Sequence, residues 1–192
     1  VIFYGPSGCG KSFIARNLAV RLKRKYFTVS PSEFASIYVH GAQENIKNFF
    51  GKMTKESPCV IILEELDAIL PNRKNDLSHS YSSEVNEFLI HLEQAASKDI
   101  LIIGTTNYLD KIDTAAIRPG RFDLKVLVDV PDFEARMEFI MQYLKDRPCD
   151  FIDWELLAEN TEGQSFSDLK LLIDTIAKTA LSRKENINMK HF

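Results

Sequence analysis

The sequence predicts an α/β fold: a P-loop three-layer αβα sandwich on a five-stranded parallel sheet, followed by a small all-α region. Three observations predict it. Short apolar runs alternate with amphipathic stretches as far as Val130, the pattern of strands joined by crossover helices. A glycine-rich segment, Gly5-Pro6-Ser7-Gly8-Cys9-Gly10-Lys11-Ser12, joins the first apolar run to the first amphipathic one. After Val130-Pro131-Asp132 the strand pattern stops and helical periodicity alone continues.

The strand candidates are Val1–Tyr4, Tyr26–Val29, Cys59–Leu63, Ile100–Gly104 and Lys125–Val128, each a short apolar or β-branched run. Helical spacing covers Lys11–Leu22, Glu44–Met53, Ser83–Ala96 and a short piece near Thr114–Ile117. The stretch from Pro71 to Ser80 is polar and aperiodic, and it reads as a mobile loop. Past the break, Phe133–Lys145, Trp154–Asn160 and Phe166–Arg183 read as three helices. The expected division is therefore 1–130, an α/β nucleotide-binding subdomain, and 131–192, a helical subdomain.

A chain of 192 residues with 45% hydrophobic content and 13 Phe can bury a core of its own. A net charge of −3 supplies no basic field for nucleic acid. Cys9, Cys59 and Cys149 form an odd, scattered set, as expected of a reduced intracellular protein. No C-x-x-C or spaced His pair points to zinc, and no apolar run reaches membrane-spanning length. His79, His91 and His191 read as surface or loop residues. The chain begins inside a strand without an initiator Met, which reads as a trimmed piece. Any anchor, targeting segment or partner-binding domain is expected outside it.

The segment Gly5–Ser12 fits G-x-x-x-x-G-K-[ST] without a mismatch, with a strand before it and a helix after it. In that context the Pro6–Gly10 loop turns the backbone N–H groups of Ser7–Gly10 inward around phosphates, aided by the helix N-terminus. Lys11 brings a point charge and Ser12 a hydroxyl for Mg²⁺. A plain glycine-rich turn would not need the Lys-Ser pair. These residues imply binding of a nucleoside triphosphate. Cys9, beside a helix N-terminus, is either a redox-sensitive thiol or simply a small residue tolerated in the loop.

Val60-Ile61-Ile62-Leu63 runs into Glu64-Glu65-Leu66-Asp67. A strand that ends in two acids about fifty residues after a phosphate loop suits Mg²⁺ coordination by the first acid and water activation by the second. The competing reading is a buried strand that enters a solvated acidic helix start.

Ile102-Ile103-Gly104-Thr105-Thr106-Asn107 and then Ile112-Asp113-Thr114-Ala115-Ala116-Ile117-Arg118-Pro119-Gly120-Arg121-Phe122-Asp123 narrow the choice. Together they resemble the second region of homology of the AAA family of AAA+ ATPases, close to T-N-x-x-x-x-[LI]-D-x-A-[LI]-x-R-P-G-R-F-D. The resemblance runs the length of the chain. It implies a Mg²⁺-dependent ATP hydrolase in which 131–192 is a lid, Glu64 a metal ligand and Glu65 the base. Asn107 would be the sensor residue that orients the attacking water. Arg118 and Arg121 would be arginine fingers that reach the ATP of a neighbouring subunit, which implies a closed ring, expected to be a hexamer. Ser32–Gly41 is similar to the family's pore segment, placing Tyr38 and Val39 where an aromatic–aliphatic pair grips an extended polypeptide. Pro71–Ser82 would be the second pore-side loop. By base rate alone Tyr38 would be a packing aromatic.

The chain departs from the family's pattern in several places. Glu64 stands where Asp is usual. The extra methylene moves the carboxylate by about 1.5 Å, which a bound water can bridge, and turnover is expected to survive at a reduced rate. Gly163-Gln164-Ser165-Phe166-Ser167-Asp168-Leu169 replaces G-x-S-G-A-D-L. Phe166 either stacks on the base or fills the lid core. His40 takes a position where Gly is common. The family's segment before the first strand lies ahead of Val1, so nucleotide affinity of the isolated chain is expected to be low. The leading expectation is a motor that unfolds or remodels proteins. The alternatives are a DNA-associated AAA+ ATPase of clamp-loader or initiator type and an ATP-binding scaffold with weak hydrolysis. The net acidic charge weighs against the first alternative, while Glu64 and Phe166 keep the second open.

Overall fold

The computed structural model describes residues 1–38, 42–72 and 79–192, without the side chains of 35–38, 42 and 79–84. Val39, His40, Gly41 and the heart of the expected loop, 73–78, lie outside the described residues.

Five strands form one sheet in the order β2-β3-β4-β1-β5: β1 Ile2–Tyr4, β2 Lys25–Val29, β3 Cys59–Leu63, β4 Ile100–Thr106 and β5 Lys125–Leu127. Every pairing is parallel, with Leu63 beside Gly104 and Tyr4 beside both Thr106 and Leu127. Strand β3 is buried throughout, as its unbroken apolar run requires when both faces are covered. Its side chains alternate. Val60 and Ile62 meet Ala15 and Ala19 of α1 (Lys11–Arg21) on one face. Ile61 and Leu63 join Phe34, Ile46, Phe50, Val85 and Phe88 on the other. These come from α2 (Pro31–Tyr38), α3 (Ala42–Lys55) and α5 (His79–Ala95). The three-layer α/β expectation holds.

Several elements depart from the sequence reading. Helix α2 was not expected. Pro31 opens it, and Ser30 with Glu33 caps it: Ser30 N donates to Glu33 Oε2 at 2.8 Å and Glu33 N to Ser30 Oγ at 3.3 Å. Helix α5 begins at His79 rather than Ser83, so 79–82 are helical and not part of a loop. The predicted helix near Thr114–Ile117 is a turn. Asp113 Oδ1 takes the N–H of Ala115, and Pro119 disfavours helical geometry at Arg118. A single turn, α4 (Leu66–Ile69), follows β3 directly.

Contacts divide the chain into two units. One comprises Val1–Gly5 with Lys11–Val128, the other Pro6–Gly10 with Asp129–Phe192. The second unit contains α6 (Phe133–Leu144), α7 (Trp154–Asn160) and α8 (Phe166–Arg183) around Ile140, Leu144, Leu157, Leu169, Ile173 and Ile176. Asp132, Asp153 and Ser165 cap these helices, accepting from Ala135, Leu156 and Asp168 N–H groups.

Candidate functional site

In the parallel sheet the C-terminal ends of β1, β3 and β4 fall on one edge, where ligands of open α/β sheets bind. The chain leaves β1 into the glycine-rich loop, β3 into Glu64-Glu65, and β4 into Asn107.

In the sheet unit, Lys11 opens α1 nearly buried, and its Nζ donates to the Gly5 carbonyl at 2.9 Å. Ser12 beside it is half-buried. Glu64 Oε1 accepts from Arg16 Nη2 at 2.8 Å, a pair no sequence pattern announced. Its Oε2 has no hydrogen-bond partner among the described residues. One half-buried carboxylate oxygen thus stays available on a residue tied through Arg16 to the helix that Lys11 and Ser12 open. That donor chemistry fits Mg²⁺, which takes one or two protein oxygens and completes its shell with phosphate and water. Among the described residues no group of three or more His, Cys, Asp or Glu is arranged to hold a metal.

Glu65 is exposed and held in the left-handed region at φ 52°, ψ 55°. For a non-glycine residue that conformation costs about 1–2 kcal/mol, and such strain concentrates at functional positions. The turn keeps it there, because the Glu65 carbonyl accepts from Ala68 N at 2.8 Å and Ile69 N at 3.3 Å. Asn107 is exposed, and its side chain has no partner among the described residues.

The two arginines differ. Arg118 is exposed with no ion-pair partner among the described residues. Arg121 is tied down: Nε donates to Glu93 Oε1 at 2.9 Å and Nη1 to the Ala115 carbonyl at 2.7 Å. No sequence pattern marks that anchor.

In the helical unit, the loop Pro6–Gly10 lies against the start of α8. Ser167 N donates to the Gly8 carbonyl at 3.3 Å. Gly8 has φ +75°, and a Cβ there would sit 2.5 Å from Ser165 Oγ. Glycine at this position therefore serves the loop's turn and its approach to α8 together. Gly10 is also left-handed, at φ +92°, a backbone region open to glycine. Cys9 is buried, its thiol 3.6 Å from the Ser7 carbonyl. Phe166 packs with the helical core, 5.1 Å from the Phe139 ring, which favours the core-filling reading.

Two histidines read as surface residues are packed instead. His91 stacks on Phe50 at 4.7 Å with Nε2 3.4 Å from Glu87 Oε1. His191 is nearly buried, and its Nδ1 accepts from Asn188 N. Tyr38 ends α2, with its side chain outside the described residues, as is Val39 altogether.

Residues 1–130 match the family model described as "ATPase family associated with various cellular activities (AAA)". The chain is 33% identical over 194 residues to the ATP-dependent zinc metalloprotease YME1L of Drosophila melanogaster, covering 100% of the chain and 26% of that protein. It is 34% identical to human YME1L1, covering 99% of the chain and 25% of the relative. To the ATP-dependent zinc metalloprotease FtsH of Halothermothrix orenii it is 32% identical, covering 100% and 31%. The chain thus spans only 25–31% of the lengths of these relatives. With residues 1–130 matching that family model and relatives aligned over the whole chain, the chain belongs to the AAA family of ATPases and is an ATP hydrolase.

Proposed function

We propose that this chain is the ATPase domain of a ring-forming motor that unfolds or remodels proteins, with 1–130 binding nucleotide and 131–192 acting as its lid. The observation that carries the reading is the sheet edge of the first unit, where a strained Glu65 follows β3 and an exposed Asn107 follows β4. Pro6–Gly10, Lys11 and Ser12 bind the triphosphate, and Ser12 and Glu64 hold Mg²⁺. When bound, Mg²⁺ neutralises charge on the phosphate oxygens. Glu65 accepts a proton from a water that Asn107 orients. The water oxygen bonds to the γ-phosphorus as the bond to the ADP oxygen breaks, releasing ADP and phosphate.

Arg118 and Arg121 serve the neighbouring subunit's site, Arg118 as a free arm and Arg121 from a position set by Glu93. Head-to-tail contacts of that kind close into a ring, a hexamer by the family's resemblance. Named relatives are ATP-dependent proteases, which supports a polypeptide as the substrate, gripped by Tyr38 and Val39. Three free cysteines support action inside the cell. Among the described residues no helix is long and apolar enough to cross a membrane, so any membrane association would come through other segments. Nucleic acid is not an expected partner.

Tyr38→Ala in the full-length protein tests the motor reading. It is expected to lose ATP-dependent unfolding of a folded reporter protein that carries an unstructured tail, and the stimulation of hydrolysis by that substrate. Parental processing by this variant would contradict the assignment.

A further inference from the structure

The segments that leave β3 and β4 run side by side, and one buried hydroxyl joins them at the end nearest Glu65 and Asn107. Thr106, the last residue of β4, is 2% exposed. Its Oγ1 donates to Asp67 Oδ1 at 2.5 Å and accepts from Tyr108 N at 2.9 Å. Both capacities of the hydroxyl are thereby used in a buried setting, where such bonds are strong and leaving a partner unpaired is costly. A second contact sits two residues earlier on β4. Leu66 is fully buried over Gly104, where a Cβ would lie 2.6 Å from Leu66 Cδ2. Farther along, Asp113 N donates to the Leu70 carbonyl at 2.8 Å and Asn72 N to the Lys111 carbonyl at 2.7 Å.

The order of residues gives these contacts their meaning. Leu66 and Asp67 directly follow Glu65, and Thr106 directly precedes Asn107. Glu65 and Asn107 themselves are exposed, and Asn107 has no partner among the described residues. Their placement relative to each other is therefore set from behind, through the chain neighbours that are buried and bonded. Asp67, two residues after the candidate base, is committed at Oδ1 to the Thr106 hydroxyl.

We propose that Thr106 and Asp67 are positioning residues for water activation, and that Leu66 on Gly104 completes the brace. It rests on the reading that Glu65 and Asn107 activate water. A displacement of about 1 Å in such a pair lowers turnover by up to about a hundredfold while leaving nucleotide binding alone.

The experiment compares turnover and nucleotide affinity in the full-length assembled protein. Thr106→Val keeps the side chain's shape and removes the hydroxyl. It should lower kcat by about tenfold to a hundredfold with the dissociation constant for a fluorescent ATP analogue at its parental value. Thr106→Ser should restore most of the lost turnover, because it returns the hydroxyl. Asp67→Ala provides the same test from the other partner if Thr106→Val does not fold. Parental kcat in either removal variant, or a Thr106→Ser variant as slow as Thr106→Val, would overturn the brace. Glu65→Gln separates this failure from failure of the underlying reading. If Glu65→Gln is inactive while Thr106→Val is fully active, only the brace falls. If Glu65→Gln turns over at the parental rate, the water-activation reading falls with it.

Discussion

The acidic turn after β3 and the arginine segment after β4 carry opposite charge and are secured in different ways. Around Glu64 and Glu65 each neighbour is fixed: Arg16 holds Glu64, the α4 turn holds the Glu65 backbone, and Thr106 holds Asp67. In the arginine segment, Arg118 is exposed without a partner among the described residues, while Arg121 is bound to Glu93 and Ala115. The difference is what the proposed division of labour requires. Groups that work on the chain's own nucleotide gain from being fixed in advance, because electrostatic catalysis depends on preorganisation. Of the two arginines proposed to work on a neighbour's nucleotide, Arg118 stays available until that neighbour arrives, while Arg121 is held beforehand by Glu93 and Ala115.

Removing the free arm carries the largest expected effect. Arg118→Ala should lower turnover of the assembled protein by about 10³-fold or more while leaving ATP binding by each subunit intact. Glu65→Gln should cost about 10²–10⁴-fold, also with ATP binding retained. An Arg118→Ala variant with parental turnover would dissolve the distinction between the two regions. The effects expected at Thr106 come next in size.

Smaller still is the effect of the methylene that distinguishes Glu64 from the usual Asp. Glu64→Asp shortens the carboxylate and releases Arg16, an ion pair whose arginine is about half exposed. Binding of Mg²⁺–nucleotide, measured by titration calorimetry, should tighten by about two- to fivefold, with metal-free binding unchanged. Weaker Mg²⁺-dependent binding would show that the longer side chain is the better ligand.

The smallest effect lies away from the site. Burial on Phe50 holds the His91 pKa below its ordinary 6.5, opposed by Glu87 and reinforced by Lys98 and Lys47. Because the unfolded chain binds this proton more readily, stability should fall as pH drops below 6.5. His91→Gln should flatten that slope in denaturant titrations at about pH 7.5 and about pH 5.5. An unchanged slope would assign the acid sensitivity elsewhere.

Much of this was legible in the chain itself. Strand β3 was readable because a run buried on both faces has to be apolar throughout. The end of the α/β pattern was readable because Pro131 and Asp132 stop a strand and cap a helix. Helix α2 was missed although Ser30 and Glu33 carry its capping box. Thr114–Ile117 was misjudged because apolar spacing outweighed the Asp113 side chain and Pro119. The pairs Arg16–Glu64, Glu93–Arg121 and Asp67–Thr106 join residues separated by 48, 28 and 39 positions, and only the fold brings them together.

In the proposed ring each active site takes its water-activating acid from one subunit and its arginine from the next. Mixing Glu65→Gln subunits with Arg118→Ala subunits, each inactive alone, tests it most directly. Random co-assembly pairs an intact Glu65 with an intact Arg118 at about a quarter of the interfaces, so ATP hydrolysis should rise well above that of either variant. A mixture no more active than its separate components, with co-assembly verified, would contradict a site shared between subunits.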